Sequence, residues 1–131
     1  LDLDAGVLNE LEMILKNRGE LVALVSDRDL SKSGIDVHFF GATARMPAGP
    51  ARLAYDTGAD LITAFVAYRR EGIEVFFTPP IAVDRAADKS REIARITQVI
   101  ASRFEDAIRK NPTSWHMQQR IFIDEDFVER P

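Results

Sequence analysis

The sequence of 131 residues contains no cysteine and only two histidines, His38 and His116. Without cysteine the chain can form neither a disulfide framework nor a thiolate nucleophile, and a metal site would have to rely on carboxylates. We therefore expect no metal and no zinc or cysteine-histidine chemistry. No run approaches the roughly 20 consecutive apolar residues that a membrane-spanning helix needs, so this segment is expected to be soluble.

Excess positive charge is also lacking, because 17 lysines and arginines face 21 aspartates and glutamates, giving a net charge of −4. We therefore expect no nucleic-acid partner. Neither Gly-x-Gly-x-x-Gly nor Gly-x4-Gly-Lys-[Ser/Thr] occurs, which argues against a nucleotide-binding loop. The chain begins Leu-Asp-Leu-Asp, with no initiating methionine and no signal peptide, and we expect it to be a piece of a longer protein.

The apolar spacing predicts an α/β fold, in which helices cover a sheet. The first helix is expected to start at the N-cap Asp4, and a continuous apolar run is expected to form a strand that is buried on both faces. In residue numbers, we predict helices over 4–17, 51–58 and 87–110, and strands over 21–25, 37–40, 61–68 and 73–78. The last two strands should form a hairpin, and the tail with Trp115, Ile121, Phe122, Ile123 and Phe127 should pack back on the body.

The polar run Ser26-Asp27-Arg28-Asp29 directly follows the predicted buried strand. Ligands of open α/β sheets usually bind outside the carboxyl ends of the strands, so this run is a candidate site. A carboxylate there can orient a histidine and stabilise its protonated form, while an arginine can bind phosphate through two parallel hydrogen bonds. The alternative is a solvated loop, or an ion pair that holds the loop to the sheet.

Arg45 lies just before a predicted helix start, where backbone N–H groups can also receive an anion. Arg28 and Arg45 could together hold a phosphate. The alternative is that Pro47, Gly49 and Pro50 only shape a turn and that Arg45 is solvated.

Both histidines are expected to be structural, one in a strand beside two phenylalanines and the other as an anchor in the tail. Neither starts a His-x4-Asp motif, since the fifth residue after each is Thr43 or Ile121. The pair Phe39-Phe40 and the run 61–65 could line a groove for an acyl chain, although core packing is the default for both.

Several segments in order resemble the C-terminal half of bacterial phosphatidylinositol mannoside acyltransferases, which are relatives of the lipid A lauroyl acyltransferases. The resemblance spans nearly the whole chain. The segments that carry it are Ser26-Asp27-Arg28-Asp29-Leu30-Ser31-Lys32-Ser33-Gly34, Phe39-Phe40-Gly41, Arg45-Met46-Pro47-Ala48-Gly49-Pro50-Ala51, Thr57-Gly58-Ala59 and Trp115-His116-Met117.

The resemblance implies that residues 1–131 are the C-terminal portion of a single acyltransferase domain of the glycerolipid-acyltransferase type, with a mixed sheet flanked by helices. It implies O-acylation of a glycolipid, and the acceptor that the resemblance favours is a mannose hydroxyl of phosphatidylinositol mannoside. Fatty acyl-CoA would be a substrate and no cofactor is implied. The enzyme would act as a peripheral protein at the cytoplasmic face of the bacterial plasma membrane. Lipid A or a glycerolipid is an alternative acceptor, and a noncatalytic lipid-binding or protein-binding domain is an alternative function.

The catalytic histidine of such enzymes belongs to a His-x4-Asp motif, which we expect upstream of Leu1, in an N-terminal half that is not present. The resemblance makes Asp27 the catalytic carboxylate that partners this histidine. It makes Arg28 and Arg45 candidates for phosphate contacts with CoA or the acceptor. Residues 1–131 alone are therefore expected to be inactive, and surfaces that the N-terminal half would cover could let copies of the chain associate.

Overall fold

The computed structural model of the protein describes residues 5–29 and 33–123. Asp4, residues 30–32 of the polar loop, and Phe127 therefore lie outside the described residues. The described elements, in chain order, are α1 (Ala5–Arg18), β1 (Ile35–Phe39), β2 (Ala42–Met46), α2 (Gly49–Thr57), β3 (Ala64–Arg69), β4 (Gly72–Phe77), α3 (Lys89–Lys110) and a 3-10 turn (Pro112–Ser114).

Helix α3 supports the rest of the fold. Its N-cap is Asp88, whose side chain accepts a hydrogen bond from the backbone N–H of Arg91 at 3.0 Å. The helix ends at Lys110, before Asn111 and Pro112, because proline cannot continue it. The prediction over 87–110 is confirmed. One face of the helix is buried against two hydrophobic clusters, through Ile93, Ile96, Ile100, Ala101 and Ile108.

The other predicted helices are also confirmed. Helix α1 packs against α2, and Leu8 is buried. Helix α2 has Pro50 in its first turn and ends at Gly58, which has a φ of +75° and donates its N–H to the Ala54 carbonyl at 2.9 Å. Glycine adopts this left-handed conformation without the steric cost that a Cβ would add.

Strands β1 and β2 form an antiparallel hairpin whose two-residue turn is Phe40-Gly41. Both turn residues have positive φ, +51° and +78°, as the tightest hairpin turns require. The sequence predicted the first strand but not β2, because Ala42-Thr43-Ala44-Arg45-Met46 has little β-favouring character. The inward side chains Val37, Phe39, Ala44 and Met46 are all buried.

Both edges of this first hairpin are covered. On the β1 edge, the Gln98 side chain accepts from the His38 backbone N–H at 2.8 Å and donates to the His38 carbonyl at 2.9 Å. On the β2 edge, the tail pairs through Arg45 N–H to the Ile121 carbonyl (3.2 Å) and Ile123 N–H to the Thr43 carbonyl (2.8 Å). The tail therefore packs back on the body, as predicted.

Strands β3 and β4 form the second antiparallel hairpin, which confirms the prediction over 61–68 and 73–78. Every residue of β4 is exposed. The register places three cross-strand pairs on one face, which we call the exposed apolar face: Ala64 with Phe77, Val66 with Val75, and Tyr68 with Ile73.

The predicted buried strand over 21–25 is wrong. This segment is irregular and pairs with none of the strands that the structure describes, and Leu21 and Val25 are 86% and 78% exposed. A continuous apolar run forms a strand only if another strand supplies the hydrogen bonds. The α/β class is confirmed, but the described strands form two separate antiparallel pairs and do not join in one mixed sheet.

Candidate functional site

Asp27 is held by the tail of the chain. The indole N–H of Trp115 donates a hydrogen bond to Asp27 Oδ2 at 3.1 Å. Asp27 Oδ1 is buried and has no hydrogen-bond partner among the described residues. Buried carboxylate oxygens are normally hydrogen-bonded. Oδ1 is therefore the position at which this side chain can receive a further donor.

Trp115 is fixed in turn by the first hairpin. Its ring stacks on Phe40, with ring centres 6.3 Å apart and planes at 21°, and meets Phe39 edge-on at 5.9 Å. Phe39 also stacks with Phe122 of the tail. Aromatic contacts of this kind hold rings in defined orientations. The carboxylate of Asp27 is thus tied to the main hydrophobic core.

Two charged residues of α3 hold Phe40, the residue whose ring stacks on Trp115. The Glu105 carboxylate accepts from the backbone N–H of Phe40 at 2.8 Å and from the Arg109 guanidinium at 2.6 Å. The hydrogen bond from Phe40, and then that from Arg109, lower the pKa of Glu105 below its ordinary value. The Arg109 guanidinium also lies over the Phe40 ring, 4.9 Å from its centre.

The side chains of Asp29 and Arg45 both lie next to Gly34. A Cβ on Gly34 would overlap the Asp29 carboxylate and would lie 2.6 Å from Arg45 Cγ, so any other residue there would force these side chains to shift. Arg45 Nε also donates to Asp36 Oδ1 at 2.8 Å. Arg45 is therefore packed beside two carboxylates and is not the solvated turn residue of the alternative interpretation. Arg28 is half-buried in the same loop.

Neither histidine is brought to Asp27 by a hydrogen bond in the part of the chain that the structure describes. His38 is exposed on β1, where its backbone is bound by Gln98, and its ring is not packed in the core. His116 is exposed in the tail, with its ring centre 6.3 Å from that of Tyr68. Within residues 5–29 and 33–123, no group of three or more histidine, aspartate or glutamate residues could hold a metal ion.

An apolar groove of about 500 Å³ lies between residues 19–26, α2, residues 59–64 and α3. Four residues of the run 61–65 line this groove. Phe39 and Phe40 do not line it, because Phe39 is fully buried in the core and Phe40 packs against that core. The groove is lined mainly by apolar side chains, which include Leu21, Val22, Leu24, Leu53, Leu61, Ile62, Phe77, Ile100 and Phe104.

The sequence did not predict that Trp115 would hold Asp27, because the two residues are 88 positions apart. It also gave no role to Glu105 and Arg109. The one available signal was the occurrence of aromatic residues in both the first hairpin and the tail, at Phe39, Phe40, Trp115 and Phe122. None of the helices that the structure describes is both long and apolar enough to cross a membrane.

Comparison with known proteins shows the family to which the chain belongs. Residues 4–123 match the family model described as bacterial lipid A biosynthesis acyltransferase. The phosphatidylinositol mannoside acyltransferase of Mycolicibacterium smegmatis is 38% identical over 109 residues, which cover 83% of this chain and 34% of that protein. That of Mycobacterium tuberculosis is 40% identical over 108 residues, covering 82% of this chain and 32% of that protein. The chain thus spans about a third of the length of these relatives, and it belongs to the bacterial lipid A biosynthesis acyltransferase family.

Proposed function

We propose that the full-length protein transfers an acyl group from acyl-CoA to a mannose hydroxyl of phosphatidylinositol mannoside. The names of two relatives that are 38% and 40% identical support this acceptor. The structural observation that carries the proposal is the Asp27 carboxylate, with Oδ2 held by Trp115 and Oδ1 buried and open to one more donor.

In the proposed mechanism, Asp27 Oδ1 accepts a hydrogen bond from the ring N–H of a histidine in a His-x4-Asp motif outside these 131 residues. The other ring nitrogen takes the proton from the acceptor hydroxyl, whose oxygen attacks the thioester carbonyl. The carbon–sulfur bond then breaks, and the CoA thiolate leaves with the proton from the imidazolium. Asp27 orients the imidazole and stabilises its cationic form without itself becoming protonated.

Arg28 and Arg45 are the proposed contacts for phosphate groups of CoA or of the acceptor. Arginine suits this role because its planar guanidinium can make two parallel hydrogen bonds to a phosphate. Arg45 Nε is engaged with Asp36, so a phosphate would share the guanidinium with that carboxylate. We expect Arg28→Ala and Arg45→Ala to raise the KM for CoA or acceptor more than they lower kcat.

The apolar groove is the proposed site for the acyl chain in the full-length protein. Its apolar lining and its volume of about 500 Å³ support this role. Ile62→Trp would shorten the groove, so the preferred donor should shift to shorter acyl chains. An unchanged preference would remove the groove from the acyl-binding assignment.

The direct test supplies labelled long-chain acyl-CoA and either phosphatidylinositol mannoside or lipid A to the protein made from its complete reading frame. We expect the label in an ester on mannose. The family description favours lipid A as the second candidate acceptor. Label on lipid A alone would replace the acceptor, and label on neither would favour a noncatalytic binding domain.

The proposed location of the enzyme is the cytoplasmic face of the plasma membrane, as a peripheral protein. An acceptor that resides in the bilayer supports this location, because the enzyme must reach it at the membrane surface. Flotation of the full-length protein with vesicles that contain phosphatidylinositol mannoside tests the association. Protein that stays at the bottom of the gradient at every lipid concentration would contradict it.

Residues 1–131 alone are proposed to be inactive and to associate with a second copy. The inactivity follows from the lack of a His-x4-Asp motif in the chain. The association is supported by the exposed apolar face and by the exposed strand β4, which can pair with another strand. Sedimentation of residues 1–131 should show concentration-dependent dimers that Val75→Lys removes and Glu71→Lys, at the turn, does not. Monomers at all concentrations would refute the association.

A further inference from the structure

We infer that Trp115 is a positioning residue that fixes the Asp27 carboxylate for its histidine partner, an inference that rests on the proposed role of Asp27. The indole has a single N–H donor and no acceptor, so it can only donate one hydrogen bond to a carboxylate. That bond occupies Oδ2 at 3.1 Å. Oδ1 is thereby left for the second donor. The Trp115 bond thus sets which of the two carboxylate oxygens faces the histidine.

The Trp115 bond holds the loop that carries Asp27, together with the packing of Asp29 beside Gly34 and Arg45. Residues 21–25, which precede the loop, pair with no strand in the described part of the chain. This hydrogen bond joins the loop to Trp115, which lies 88 positions later in the chain, after α3. Without it, the Asp27 carboxylate would have no hydrogen bond of its own among the described residues.

The donor itself is rigidly held, which a positioning residue must be. Phe40 stacks on the indole ring and Phe39 meets it edge-on. Phe40 is held through its backbone N–H by Glu105 and through its ring by Arg109. The indole N–H therefore points to Asp27 from a packed aromatic cluster, in the manner in which supporting residues fix a catalytic group.

The test uses the full-length enzyme and the variant Trp115→Phe, which keeps an aromatic ring and removes the N–H. We expect kcat to fall about tenfold or more while KM changes little, because a misplaced carboxylate affects the chemical step. The matched control is Phe40→Leu, which weakens the ring stacking and leaves the indole N–H in place. Phe40→Leu should lower the melting temperature. It should also lower kcat, but by a smaller factor than Trp115→Phe does.

The same substitution in an Asp27→Asn background separates positioning from a general loss of structure. If Trp115 acts through the carboxylate, Trp115→Phe should lower the residual turnover of Asp27→Asn little further. Equal fold losses in both backgrounds would overturn the positioning role. Benzothienylalanine at position 115 has the shape of tryptophan with sulfur in place of N–H, and it answers the question if Trp115→Phe does not fold.

The outcomes also distinguish this inference from the proposed function. Full turnover of Asp27→Asn would overturn the catalytic role of Asp27 itself. Loss of turnover in Asp27→Asn, together with wild-type kcat in Trp115→Phe and in the benzothienylalanine variant, would overturn only the role of Trp115.

Discussion

The two hairpins of this protein have the same construction and opposite surroundings. Each is an antiparallel pair of short strands joined by a two-residue turn. In the first, Phe39 and Ala44 are completely buried between α3 and the tail. In the second, every residue of β4 is exposed, and Phe77 is 67% exposed. Apolar strand residues are thus buried only where another element is available to cover them.

The difference extends to the strand edges. Side chains of α3 and the backbone of the tail hydrogen-bond to both edges of the first hairpin. The second hairpin is held mainly at its ends, where Arg103 donates to Thr78 Oγ1 at 2.7 Å and Tyr68 N–H donates to Ser114 Oγ at 2.9 Å. The candidate site is attached to the covered hairpin, which explains how a loop without strand pairing can hold a carboxylate in place.

The largest expected effect comes from truncating the buried hairpin. Phe39→Ala removes a ring that contacts Phe40, Trp115 and Phe122, and should lower the free energy of unfolding by about 3–5 kcal/mol. The matched control, Phe77→Ala on the exposed apolar face, should cost less than about 1 kcal/mol. Urea unfolding of residues 1–131, followed by circular dichroism at a concentration at which the chain is monomeric, measures both.

This pair of variants also tests whether the second hairpin is covered in the full-length protein. If Phe77→Ala costs as much as Phe39→Ala in the monomer of residues 1–131, the exposed apolar face is buried within the chain in solution and the comparison fails. If Phe77→Ala costs as much as Phe39→Ala only in the full-length protein, the remainder of the protein covers the exposed apolar face.

A smaller effect is expected from the cover of the β1 edge. Gln98→Ala removes two hydrogen bonds to the backbone of His38 and should cost about 1 kcal/mol of unfolding free energy. Hydrogen exchange at the His38 amide should accelerate more than exchange in β4. The control is Gln118→Ala, at an exposed position of the tail. An unchanged rate at His38 would show that the edge is protected by other means.

A pH-dependent effect concerns the segment between the second hairpin and α3. Hydrogen bonds from the Arg95 side chain and then from the Asp84 backbone N–H lower the pKa of Glu92 from 4.5 to about 2. A carboxylate with a lowered folded-state pKa stabilises the fold above pH 4.5, and this stabilisation is lost as the pH falls through about 2.

Glu92→Gln should therefore reduce the melting temperature at pH 7 and flatten its decline between pH 5 and roughly pH 2. Glu71→Gln, at the exposed turn of the second hairpin, is the control and should leave the profile unchanged. A Glu92→Gln profile parallel to that of the wild type would contradict the role of this carboxylate.

The elements that the sequence predicted well are those whose signals are local. Helix α3 follows from its isoleucine spacing and from Pro112, and the second hairpin follows from two β-favouring runs around Gly72. Strand β2 was missed because its residues have weak β propensity and gain their strand conformation from pairing with β1 and the tail.

The site was only partly predictable for the same physical reason. Asp27 was identified from its place after an apolar run, although that run is not a strand in the described residues. The contacts that position it, from Trp115 through Phe40 to Glu105, connect residues far apart in the chain. Packing between distant segments leaves no periodic pattern in the sequence, so only the structure could show it.

The most direct measurement of the central claim is the kcat of full-length Asp27→Asn with acyl-CoA and phosphatidylinositol mannoside. Asp106→Asn, on the exposed side of α3, is the matched control. If Asp27 partners the catalytic histidine, kcat should fall by roughly 10²- to 10⁴-fold in Asp27→Asn and remain at the wild-type level in Asp106→Asn. Wild-type kcat in Asp27→Asn would contradict the account.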